Sequence, residues 1–128
     1  MNKKDLARLI DHTLLKSETK IEDIKKLCEE ALKYQFYSVC INPCYVKTAK
    51  EFLKNSDIKI CTVISFPLGA STIKTKIYEA TEAIENGADE IDMVMNIGMF
   101  KSNRYEYIYE EISSIKKAIE YRILKVII

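Results

Sequence analysis

Two hydrophobic rhythms alternate along this chain. Apolar residues recur every three or four positions in long stretches, and every second position or continuously in short ones. Residues 3–10 open with the first rhythm, Leu6, Leu9 and Ile10 falling on one side of a short helix. Residues 11–15 are too few for a helix and predict a strand. Thr19-Lys20-Ile21-Glu22 reads as a capping box, hydroxyl and carboxylate satisfying free amides at a helix start. Ile21, Ile24, Leu27, Cys28, Ala31 and Leu32 then trace an amphipathic helix. Residues 37–42 predict a second strand, stopped by Pro43, which suits the first turn of the following helix. That helix turns Val46, Ala49, Phe52 and Leu53 inward. Residues 58–64 form a nearly continuous apolar strand, ended by Phe66-Pro67-Leu68-Gly69. Ser71 or Thr72 starts a helix running to Glu85, packed through Ile73, Ile77, Ala80 and Ile84, and Gly87 is its expected C′ residue. A fourth strand holds Asp92. A loop through Gly98 and Asn103 leads to a helix bearing Ile108, Ile112, Ile115 and Ile119, and residues 124–128 predict a fifth strand.

Strand and helix thus alternate, with successive strands about 20–35 residues apart, the size of a right-handed βα unit in a parallel sheet. An open doubly wound sheet and a (β/α)8 barrel both fit. The first βα loop lacks a glycine-rich phosphate fingerprint, and the whole chain has only 3 glycines. Buried strands of open sheets are apolar on both faces, whereas several strands here carry one polar face. The expectation is a partial TIM barrel of about five βα units, a single domain over residues 1–128.

Composition narrows the function classes. The 128 residues are 48% hydrophobic and 30% charged with net charge +1, so no basic field points to nucleic acid or an anionic membrane. No apolar run approaches the roughly 20 residues of a membrane span, and residues 1–15 do not read as a signal peptide. Cys40 and Cys44 lack a second close pair and His12 is the only histidine, so no metal site is expected. All four cysteines sit in apolar segments, as buried free thiols do, which suggests a reducing cytoplasm.

The polar faces carry the candidate chemistry. In the fourth strand Ile91, Met93 and Met95 point one way, and Asp92, Val94 and Asn96 the other. Asp11 and Thr13 share a face of the first strand; Ser38, Cys40 and Asn42 share one of the second. Lys125 opposes Leu124, Val126 and Ile128, and an ammonium is costly against a helix layer, so it should point inward. Asp11, Thr13, Cys40, Asn42, Asp92 and Lys125 therefore aim into one interior. Thr62 is the best candidate from the third strand, whose phase is ambiguous. Bland readings stand beside these. Asp11 fits a strand–loop cap, Cys40 a core filler, His12 a structural position opposite Asp11, and Asp92 with Lys125 a buried ion pair. Against that, two acids and a lysine in one interior are what proton shuttling needs, and a desolvated or cation-crowded lysine attacks carbonyls as the free amine.

Five motifs, in order and at matching spacing, resemble deoxyribose-phosphate aldolase. They are Asp11-His12-Thr13-Leu14-Leu15-Lys16, Ser38-Val39-Cys40-Ile41-Asn42-Pro43, Val63-Ile64-Ser65-Phe66-Pro67-Leu68-Gly69, Gly87-Ala88-Asp89-Glu90-Ile91-Asp92-Met93-Val94 and Leu124-Lys125-Val126-Ile127-Ile128. The resemblance implies a (β/α)8 barrel and a class I, metal-free and cofactor-free carbon–carbon lyase. Its reaction is the reversible cleavage of 2-deoxy-D-ribose 5-phosphate to D-glyceraldehyde 3-phosphate and acetaldehyde through a lysine Schiff base. It implies Asp92 as the proton-transfer aspartate, Lys125 as a pocket lysine, and Asp11, Thr13 and Cys40 as pocket residues near the substrate. In that family the Schiff-base lysine lies on the sixth strand, a second catalytic lysine on the seventh, and the phosphate site after strands seven and eight. These positions would follow Ile128. The expectation is the N-terminal part of such an enzyme, inactive alone and homo-oligomeric; the alternative is a non-catalytic, self-associating partial barrel.

Overall fold

The structure, a computed structural model, describes residues 1–128. Five strands, β1 (Asp11–Leu14), β2 (Ser38–Ile41), β3 (Lys59–Ile64), β4 (Glu90–Val94) and β5 (Ile123–Ile127), pair in parallel in the order β1-β2-β3-β4-β5. Six helices accompany them: α1 (Lys3–Ala7), α2 (Ile21–Tyr34), α3 (Val46–Phe52), α4 (Ile73–Glu85), α5 (Ile97–Lys101) and α6 (Tyr105–Ile119). Each strand pairs with the next in sequence, with none of the reversal that defines a doubly wound sheet.

The sheet curls strongly. At about 4.8 Å per strand step, β1 and β5 would lie roughly 19 Å apart in a flat sheet. Instead Lys125 on β5 reaches Asp11 on β1 at 2.9 Å across the concave face. This is barrel curvature, and the fold is a partial α/β barrel.

The convex face is apolar and takes the helices. Val39, Ile41, Ile60, Ile64, Ile91 and Met93 pack against Ile24, Leu27, Ala31, Ala49, Ala80, Ala83, Ile115 and Ile119. A smaller cluster, Cys40, Cys61 and Val63 with Leu15 against it, lies on the concave face. The parity expected for β4 is seen: Ile91 and Met93 join the helix-side core.

Several local expectations are corrected. Helix α2 is capped differently: Lys20 is its N-cap, the Asp23 carboxylate accepts from the Lys20 amide at 2.9 Å, and the Thr19 hydroxyl donates to Lys16 O at 2.6 Å. Leu6 and Leu9 are exposed, and Ala7 is the buried residue of α1. Residues after Asn96 form the short helix α5 rather than a loop, because the Asn96 side chain caps it by accepting from the Met99 amide at 3.1 Å. Cys44 is exposed, unlike the other three thiols. The ending of α4 is as expected. Gly87 at φ 114° lets its amide reach Ile84 O, and the Ala88 amide reaches Ala83 O, both at 3.0 Å.

The packed face of α4 holds the largest surprise. Its fully buried residues are Lys76, Ala80 and Ala83, with Ile77 and Ile84 only half-buried. Lys76 pairs with Glu111 of α6, both side chains 0% exposed. Lys76 also donates to Val94 O at 2.9 Å, and Glu111 Oε2 accepts from the Asn96 amide at 3.1 Å. The pair therefore ties two helices to the C-terminal end of β4. Gly69 meets that end from the other side: a Cβ there would stand 2.3 Å from Met95 O.

Candidate active site

Parallel register brings the polar faces together. Asp92 pairs across the ladder with Lys125, Thr13 with Cys40, Cys40 with Cys61 and Cys61 with Glu90. All face the concave side, because strand side chains alternate and the opposite parity is the apolar helix-side core.

Lys125 is the hub. Its Nζ lies 2.9 Å from Asp11 Oδ2, 3.2 Å from Glu90 Oε1 and 3.2 Å from Asp92 Oδ1. The Asp92 contact is an ion pair rather than an aligned hydrogen bond, and Oδ1 is otherwise buried without a partner. Burial works against the charge on Lys125, but the hydrogen bond to Asp11 and the charge of Asp92 outweigh it and raise its pKa. Its neighbours are carboxylates, not cations, so the free-amine reading of Lys125 does not hold: it is an ammonium.

Each acid is anchored independently. Asp11 accepts from the Ser38 hydroxyl at 2.5 Å; burial pushes its pKa up, but this bond and Lys125 outweigh that and lower it. Glu90, 4% exposed, accepts from the Tyr37 hydroxyl at 2.5 Å. That bond, with burial, lifts the Tyr37 phenol to about 12. Cys40 Sγ lies 4.0 Å from Asp92 Oδ2. Hydrogen bonding to Cys40 together with burial drives the Cys61 thiol far up, so Cys61 rests as a thiol.

Of the six residues expected here, four meet: Asp11, Cys40, Asp92 and Lys125. Thr13 is on the right face, but its hydroxyl donates locally to Asp11 O at 2.8 Å. Asn42 stands apart, its amide reaching Lys16 O at 3.5 Å. Thr62 points into the helix side and donates to Ile41 O at 2.7 Å; β3 contributes Cys61 and Val63 instead. His12 packs on Phe36 at 4.8 Å and lies 3.5 Å from Glu30, outside the site as expected. Glu90 and Cys61 were missed. Glu90 was detectable, since it lies two residues before Asp92 and shares its face. Tyr37 had no such signal: alternation puts it on the parity of Val39 and Ile41, and the strand starts only at Ser38.

A lysine ringed by three acids on the concave face of a barrel can move protons to and from a bound molecule and hold developing charge. Comparison with known proteins agrees with this kind of chemistry. The family model for DeoC/LacD family aldolases matches residues 6–128. The chain is 57% identical to a deoxyribose-phosphate aldolase of Caldicellulosiruptor saccharolyticus, covering 100% of this chain and 60% of that protein. It is also 57% identical to one of Clostridium kluyveri, covering 100% of this chain and 59% of that protein. The chain thus spans about 60% of the length of these curated relatives. Among solved structures, the aldolase QR15 superposes with a TM-score of 0.92 at 35% identity over 97% of this chain and 55% of its own. A tetrameric deoxyribose phosphate aldolase from Aeropyrum pernix gives 0.84 at 32% identity over 98% of this chain and 53% of its own. With the family matched along nearly its whole length, and with its strands curled around a lysine–carboxylate cluster, the chain belongs to the DeoC/LacD family of aldolases.

Proposed function

We propose that this chain supplies the proton-handling part of a deoxyribose-phosphate aldolase. The reaction is reversible cleavage of 2-deoxy-D-ribose 5-phosphate to D-glyceraldehyde 3-phosphate and acetaldehyde through a lysine imine. The observation that carries this is the Lys125 ammonium held by Asp11, Glu90 and Asp92 on the concave face. Asp92 is the group that takes and returns the proton, being the acid set between the ammonium and Cys40. Lys125 holds Asp92 in place and offers positive charge to substrate oxygens; Asp11 and Glu90 fix Lys125. Cys40 and Thr13 line the pocket, and Asn42 steadies the loop after β1 through Lys16. Lys125 is not the imine lysine, because a charged amine carries no lone pair for attack. That nucleophile and the phosphate grip are assigned to the part of the relatives that this chain does not span, so the 128 residues alone are inactive. No metal or cofactor takes part in this scheme. The enzyme works as a homo-oligomer in a reducing cytoplasm, in keeping with its free cysteines, and nucleic acid is not a partner, in keeping with a net charge of +1.

The test is complementation. The chain is assayed for deoxyribose 5-phosphate cleavage alone and with a separate polypeptide covering the remainder of the Caldicellulosiruptor relative. Cleavage is expected only with both, should fall by orders of magnitude with Asp92→Asn, and borohydride should trap acetaldehyde on the added polypeptide. Turnover by the 128 residues alone, or full activity of Asp92→Asn, refutes the reading. The second reading, a non-catalytic self-associating barrel fragment, is favoured by one observation: Ile123, Ile127 and Ile128 at the β5 edge are 48%, 37% and 91% exposed.

A further inference from the structure

Cys40 and Cys61 are thiols that the proton chemistry leaves unused, and they cluster with its acid, Asp92. The two thiols face each other in register across β2 and β3, and Asp92 stands beside them on β4. One ligand atom from each, two sulfurs and a carboxylate oxygen, lies within 4.8 Å of the others. Sequence spacing could not reveal this set, because the ligands come from three strands rather than one loop. We propose that these three residues form a binding site for a thiophilic divalent cation of the zinc class, and that its occupancy takes Asp92 out of proton transfer.

The geometry is close to what such an ion requires. Tetrahedral bonds of about 2.3 Å to sulfur place two thiolates roughly 3.8 Å apart, so the two sulfurs must close by about 1 Å at most. Asp92 already divides its oxygens: Oδ1 faces Lys125, and Oδ2 faces Cys40 and is the one available to the ion. The surroundings favour a cation, with Asp11, Glu90 and Asp92 set against the single Lys125. Binding replaces two S–H bonds by two metal–sulfur bonds and releases two protons to solvent, with no change of oxidation state. Two thiolates and one carboxylate leave a fourth position for water or a substrate oxygen, the arrangement of open rather than structural zinc sites. Inhibition rests on the proton-transfer role proposed for Asp92, whereas binding does not, and the two are separable because binding is read optically.

The probe is Cd²⁺ added to the full chain carrying Cys44→Ser, which removes the exposed thiol. One ion per chain, the ultraviolet band of a two-thiolate cadmium centre and release of two protons are expected. Cys61→Ser, and separately Cys61→Ala in case serine disturbs folding, should weaken binding by more than the roughly 10–100-fold that loss of an outer-shell partner costs. Asp92→Asn should weaken it measurably while retaining the band. A band that survives loss of Cys61, a single-thiolate spectrum, no binding, or an affinity indifferent to Asp92→Asn would each overturn the site.

Discussion

At the scale of single residues, the site depends on the charge of Lys125, and pH reports it. Its folded pKa lies above the ordinary 10.5, so its contribution to stability is complete below about that pH and is lost as pH rises further. Asp11 is shifted the other way, below 3.8, so its contribution is present above that value and lost as pH falls through the folded pKa. Lys125→Met should remove the alkaline limb and weaken the acid one, which the Ser38 hydrogen bond to Asp11 also supports. At neutral pH it leaves Asp11, Glu90 and Asp92 facing one another, Glu90 buried, and should destabilise the fold. The loss should fall below the about 3–5 kcal/mol of a fully buried pair, because Lys125 is 37% exposed. Acidification to about pH 5 should then stabilise the variant by protonating crowded carboxylates. Urea unfolding from pH 3 to 11 measures this, and a Lys125→Met profile parallel to the parent's would refute it. The period-two pattern made Asp11, Asp92 and Lys125 legible as one face. It failed at Thr62 because β3 is apolar on both sides, and only its register against Cys40 and Asp92 reveals which parity faces inward.

Among the elements, the helix periodicities located α2, α4 and α6 but not what lies between α4 and α6. A lysine and a glutamate at core positions read as solvent-facing in any helical pattern. Their partnership is legible only once α4 and α6 are adjacent and the end of β4 needs a donor and an acceptor. Here Lys76 serves Val94 O and Glu111 serves the Asn96 amide. Lys76→Met should cost about 3–5 kcal/mol, since it strands a fully buried carboxylate. The double variant Lys76→Met/Glu111→Leu should recover part of that loss but not all. Val94 O and the Asn96 amide stay unpaired, at about 1–3 kcal/mol each. Hydrogen exchange at the Asn96 amide should speed up in both variants. Full recovery in the double variant, with Asn96 exchange unchanged, would mean the pair does not hold the end of β4. The caps show a related limit. Thr19 and Glu22 satisfy the capping pattern, but the helix starts one residue later and uses Asp23, a choice set by how the preceding loop folds back on Lys16.

For the whole molecule, polar faces argued for a barrel over an open sheet, and the contact between Asp11 and Lys125 across the concave face shows how far the curl goes. A curled sheet of five strands still has two edges. β1 and β5 each pair on one side only, so each presents a row of unpaired backbone groups. Beside the β5 edge, Ile123 and Ile127 lie on the concave-facing parity and are 48% and 37% exposed. Unpaired edge backbone next to apolar side chains is a template for pairing with another strand, and the most abundant one in a solution of this chain is a second copy. The 128-residue chain should therefore self-associate as concentration rises. Ile127→Lys should weaken that association, since it puts a charge beside the edge and reduces the apolar area a partner could cover. It should leave the fold intact, because Ile127 lies outside the helix-side core. Sedimentation velocity over a hundredfold range of concentration decides the matter. A parent chain that stays monomeric throughout, or an Ile127→Lys chain that associates equally, would mean the curl alone protects these edges.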